Sequence, residues 1–161
     1  MVASTASPAP STPVAQLTER ARDWIDLVLD PRPNRAVAFQ LNDATIGVLH
    51  PDGLLEVPVP TPVCAVLVEE GLAQPHTACS GADWVAVHVR SSDNVDAAVL
   101  LLRLSYLYRR LLRSQDALSL RRIRIELDQY DLPDALAALY DAMIAKRDAG
   151  SSAPSGRSTS V

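Results

Sequence analysis

Cysteine, histidine and glycine are all scarce in this 161-residue chain, at two, three and six copies. Two cysteines, Cys64 and Cys79, make no disulfide framework, and their spacing is not that of a CxxC pair. Phosphate loops, dinucleotide fingerprints and HExxH are missing, and so is the GxSxG elbow of hydrolases. Long hydrophobic runs are absent as well. The longest, Ala97 to Leu102, is far below the roughly 20 residues needed to cross a bilayer. The opening MVASTASPAPSTP has neither a basic n-region nor an apolar h-region, and position 2 is not glycine. The expectation is a soluble, cytoplasmic protein without a membrane partner. The chain is also too short for a complete (β/α)₈ barrel, which needs about 250 residues.

What is present suffices for a core. Apolar residues make up 48% of the chain and charged residues 21%, with 15 basic against 19 acidic side chains. A single α+β domain is expected over 13–149. The tails 1–12 and 150–161 are expected to be disordered; the second is Ser/Pro/Gly-rich and cannot bury enough side chain to offset ordering entropy.

Thr12-Pro13 opens a helix, with Val14, Leu17, Ala21, Trp24 and Val28 on one stripe and a stop before Pro31. Three alternating segments follow as an antiparallel meander: Arg35 to Leu41, Thr45 to His50, and Leu55 to Val59. Asn42-Asp43 and Pro51-Asp52-Gly53 turn the chain between them. Pro58 argues that the third strand lies at an edge. Thr61-Pro62 starts a short helix that ends at Gly71, and a loop carries His76. Asp83 to Arg90 reads as a strand, and a helix from Ser91 or Ser92 to about Arg113 is the main core helix. Residues 114–130 fit a helix and a strand equally, because Leu120, Ile123, Ile125 and Leu127 satisfy both periods. Leu132, Leu136, Leu139, Tyr140 and Met143 mark a final helix. The expected order is α-β-β-β-α-β-α plus a C-terminal helix, with helices on one face of a mainly antiparallel sheet.

The candidate catalytic residues are His50, Asp52 and His76. His50 ends a strand, and the carboxylate of Asp52 two residues on is placed to orient its ring. His76 meets His50 in one cleft if its loop folds back. His88 lies mid-strand on the Trp84 side, and Trp84 is expected to pack against a helix. No ligand spacing for a metal is present, so no metal and no cofactor are expected. Cys64 reads as a small buried hydrophobe. Seven of the fifteen basic residues fall between Arg103 and Arg124: Arg103, Arg109, Arg110, Arg113, Arg121, Arg122 and Arg124. They would suit an anionic partner. Nucleic acid is not expected, because the whole chain is acidic and no reading motif interleaves aromatics with the arginines.

The stretch from Phe39 to Leu112, with its strand-end His50, Asp52-Gly53 turn, Gly71, His76, Trp84 strand and Leu-Leu-Arg-Leu-Ser105-Tyr106 helix, resembles the small actinobacterial luciferase-domain proteins. The resemblance implies a histidine at the position of Val48, so this chain departs from the family-like pair there. A weaker similarity, through GADWVAVHVR and LRLSY, is to the compact α+β proteins of the MmcQ/YjbR type. Neither resemblance implies a particular chemistry. The leading expectation is therefore a small-molecule or protein-binding accessory domain. The alternative is a small cofactor-independent enzyme acting on an organic metabolite. In it His50 is general base, Asp52 its orienter and His76 a second acid or anion ligand.

Overall fold

The computed structural model describes residues 12–76 and 83–152. Among the described residues it is an α+β fold in which five α-helices and a short 3-10 turn (Pro33–Arg35) accompany six strands, all paired antiparallel in the order β1-β2-β3-β4-β6-β5. The chain divides into two compact units between Tyr106 and Leu107.

The first unit begins with helix α1 (Pro13–Arg22), where the Thr12 hydroxyl accepts the Ala15 N–H at 3.1 Å and Pro13 occupies the first turn. The stripe then stops sooner than its spacing predicts. Asp26 takes a left-handed backbone (φ 63°), and Leu27–Pro31 forms strand β1 instead of a last helical turn. Five residues of β1 pair with β2 (Val37–Leu41), from Leu27 opposite Leu41 to Pro31 opposite Val37. This ladder outweighs the local helical pattern, and it leaves Val28 60% exposed rather than in the core. Pro31 is tolerated because β1 is an edge.

Asn42 (φ 56°) turns β2 into β3 (Ala44–Leu49). Gln40 pairs with Thr45 but Phe39 with Gly47, so Ile46 is the extra residue of a bulge. The bulge breaks the expected alternation, and Ile46, Gly47 and Leu49 are all buried. Strand β4 (Leu54–Val59) is not an edge, contrary to the inference from Pro58. It lies between β3 and β6 (Asp83–His88). Pro58 fits there for two reasons. The β3–β4 pairing extends only to Glu56 opposite Val48, and the Pro58 carbonyl accepts the Ser105 hydroxyl at 2.9 Å. A residue in an antiparallel strand points its nitrogen and carbonyl to the same side, so the missing N–H falls where no ladder partner exists.

Helix α2 (Thr61–Glu69) starts at Thr61-Pro62, preceded by Pro60, whose side chain has no polar group to cap it. It ends as expected. Gly71 (φ 71°) closes a double cap in which Leu72 N–H reaches the Leu67 carbonyl and Gly71 N–H the Val68 carbonyl. The segment expected as a loop contains a short edge strand, β5 (Gln74–His76), paired with β6.

Helix α3 (Ser92–Arg113) begins where the serines place it. Its Leu102 lies against Gly47, whose absent side chain makes room: a Cβ there would meet Leu102 Cδ1 at 2.5 Å. The helix thus covers the sheet face carrying Leu49, Leu55, Val57 and Val85, all buried. The Trp24 and Tyr106 rings meet at a tilt of 55° with centroids 5.3 Å apart, and the Tyr106 hydroxyl donates to the Ile25 carbonyl at 2.9 Å.

In the second unit, the rest of α3 is joined by α4 (Ala117–Asp128) and α5 (Asp134–Ser152). The undecided segment is a helix. Asp116 caps it by accepting the Ser119 N–H at 2.8 Å, and these bonds from Ser119 hold its carboxyl below the usual range. Leu120, Ile123 and Leu127 are buried while Ile125 is 52% exposed, a division that a strand cannot produce. Arg147 of α5 donates to the carbonyls of Leu112 and Ser114, which the end of α3 leaves open.

Candidate functional site

Residues paired across an antiparallel ladder project to the same face. The register therefore sorts the sheet. Opposite the α3-covered face, Val48, Glu56 and Ala86 form one row, with Gln74 next to Ala86. Leu54 and His88 form a second row, and Pro58 and Trp84 a third. His50 lies two residues beyond Val48, on the same side. Val48, His50, Glu56, Trp84 and His88 are half-buried, in contrast to the dry opposite face.

His50 is positioned by the turn that the sequence announces. Gly53 N–H donates to the His50 carbonyl at 3.0 Å, and His50 N–H to the Leu54 carbonyl at 2.9 Å. The Asp52 carboxylate accepts the Leu54 N–H at 3.1 Å and so serves the turn. It is not the group that orients the imidazole. That group is Glu56: the His50 ring Nε2 lies 2.7 Å from its Oε1, with side-chain exposures of 35% and 16%. In the neutral ring a carboxylate at Nε2 favours the tautomer with Nε2 as donor, which leaves the Nδ1 lone pair for another group. Nearness in sequence favours Asp52, two residues from His50, over Glu56, which is six residues away. Counting outward from the Pro51-Asp52-Gly53 turn places Glu56 opposite Val48 and diagonal to His50, so the signal was there. The implied histidine at 48 would stand directly across from Glu56, where this chain has valine.

The shared cleft of His50 and His76 is not formed by this register. His76 is opposite Trp84 in β5, whereas His50 is level with Leu54 and hence with His88. Three strand spacings of about 4.8 Å and four residues of about 3.3 Å put the two backbones roughly 20 Å apart. The sheet instead brings His50, Glu56, His88 and Trp84 onto one face. Trp84 lies beside Pro58, half-exposed.

The arginines hold varied positions. Arg103 is clamped between aromatic rings, 4.7 Å from the Trp24 centroid and 4.3 Å from that of Tyr106. Arg109 lies 5.8 Å from the Tyr108 ring, and Arg124 is 4.0 Å from Asp141. Arg113, Arg121 and Arg122 are exposed, and Arg110 is half-buried. Among the described residues no His/Cys/Asp/Glu group could hold a metal ion, and no helix is long and apolar enough to cross a membrane.

Cys64 is half-exposed rather than buried, while Cys79 lies outside the described residues. Partial burial and the nearby Asp83 carboxylate push the Cys64 thiol above its usual range. At neutral pH its thiolate fraction is correspondingly small. In a Cys79→Ser variant, iodoacetamide should alkylate Cys64 more slowly than the cysteine of a blocked, uncharged peptide. A rate equal to the free thiol would show that this surrounding does not suppress it.

Residues 43–105 match the family model described as the Luciferase domain, a span that runs from the end of the β2–β3 turn to Ser105 of α3. It contains His50, Glu56, Trp84 and His88, and it is less than half of the chain. The MmcQ/YjbR likeness finds no support in the comparisons. No curated protein and no solved structure matches the chain.

Proposed function

We propose that the half-exposed sheet face around His50 is a binding surface for a small organic molecule. The observation that carries this reading is the 2.7 Å pair of His50 and Glu56. A carboxylate-held imidazole on a rigid ladder is a fixed hydrogen-bonding group, and Nδ1 is the atom it presents. Trp84 adds an amphipathic wall to the same face, the kind of apolar surface with few polar groups that binds small molecules. The covered opposite face and the Gly47–Leu102 contact support the reading further, because they keep the ladder from adjusting when the pair is altered.

The test is an unbiased metabolite-binding screen, with each hit retested on His50→Asn and Glu56→Gln. The hit should bind at least about tenfold more weakly to His50→Asn, equivalent to about 1.4 kcal/mol, while the thermal midpoint stays within a few degrees. A hit that binds both variants as tightly as the wild type would remove this face from consideration.

The same pair favours a second reading, a cofactor-independent proton-transfer enzyme. There His50 Nδ1 is the base and Glu56 takes the orienting role expected of Asp52. Incubating the hit with the protein separates the two. Consumption that disappears in His50→Asn supports the enzyme, and a hit recovered unchanged supports the binding domain.

A further inference from the structure

The ladder between β5 and β6 stops at Gln74 opposite Ala86, and upstream the chain veers away through Ala73 and Leu72. A groove of about 700 Å³ opens there, lined by Gly71 to Gln74, Ala86 to His88, Arg90 and Asn94. Several donors gather at it. Val89 N–H donates to the Gly53 carbonyl on the β4 side, so by alternation the His88 N–H, with its own carbonyl, faces the other way, past the last residue of β5. Asn94 Oδ1 already takes the Arg90 N–H at 3.3 Å and the Ser91 hydroxyl at 3.2 Å, which leaves its amide nitrogen to donate. Gln74 and the Arg90 guanidinium complete the set, both exposed. Among the described residues no carboxylate lines the groove, in a chain with 19 acidic residues against 15 basic ones. The nearest acids in sequence and register, Asp93 and Glu56, are outside the lining.

We infer that this groove binds the carboxylate end of a monoanionic organic acid. Resting on the small-molecule reading above, this names the ligand class. Arg90 supplies a permanent positive charge, with fork geometry suited to a carboxylate, and the His88 backbone N–H and Asn94 supply uncharged donors. Leu72, Ala73, Ala86 and Val87 form the other half of the lining and call for an apolar body rather than a small inorganic anion. His88 belongs both to the groove and to the row beside His50 and Glu56, so one ligand of modest length spans from the groove onto that face.

The experiment uses the full ¹⁵N-labelled chain titrated with hexanoate, hexanamide and inorganic phosphate. Hexanoate should shift the backbone amides of Gln74, Val87, His88 and Asn94 saturably. Hexanamide, lacking the charge, and phosphate, lacking the apolar body, should bind at least about tenfold more weakly. Arg90→Gln, an exposed change, should bring hexanoate down to the level of hexanamide. Equal response to hexanoate and to either of the other probes overturns the inference. So does an unaltered titration of Arg90→Gln, or silence of these amides. Each of those failures leaves the His50 reading to its own screen, whose hits are mapped at His50, Glu56 and Trp84.

Discussion

Gly53→Ala lowers stability by about 2–4 kcal/mol, measured by equilibrium urea unfolding. Gly53 has φ 95°, a backbone that residues with a Cβ rarely adopt. An alanine Cβ there would also lie 2.4 Å from the carbonyl oxygen of Val89. That atom is main chain at the end of β6, tied to the turn by the Val89 N–H to Gly53 carbonyl bond at 2.8 Å, so it cannot swing aside as a side chain would. Relief requires β6 and the turn to part. Both ends of the turn's hydrogen bonding belong to His50, so the variant should disturb the imidazole as well. A loss below about 1 kcal/mol would show that the turn relaxes freely.

Leu102→Ala should cost about 2–5 kcal/mol in the same assay. The side chain is fully buried and rests on Gly47, where α3 comes close enough to the sheet to exclude a Cβ. The helix and the strand are each held by other contacts, so neither can collapse into the space left by the removed atoms. The cost is therefore the lost transfer free energy with a cavity term added to it. A change under about 0.5 kcal/mol would place this side chain outside the core.

The parts of the fold that were legible carry their signal locally. Thr12-Pro13, Pro51-Asp52-Gly53 and Gly71 each set a backbone angle or satisfy an end group within a few residues, and the structure uses each of them. Strand β1 was not legible, because Trp24 and Val28 continue the helical spacing of α1. Only the left-handed Asp26 and the pairing with β2 break it. Pro58 misled for a related reason. Its missing N–H excludes one side of a ladder, not both, and the partner that completes its surroundings is Ser105, 47 residues away. Three-residue β5 is too short for any period to show. At the candidate site, His50 was found by its place before a turn. Its partner depended on the register of two strands, which turn counting supplies and sequence proximity does not.

The tautomer of His50 tests the central claim most directly. Ring ¹⁵N shifts, recorded above the titration of the imidazole in the wild type and in Glu56→Gln, report which nitrogen holds the proton. A carboxylate-held ring should show Nε2–H with an unprotonated Nδ1 in the wild type, and should move toward a mixture of tautomers in the variant. A ring that is Nδ1–H in the wild type, or that ignores Glu56→Gln, would contradict the account.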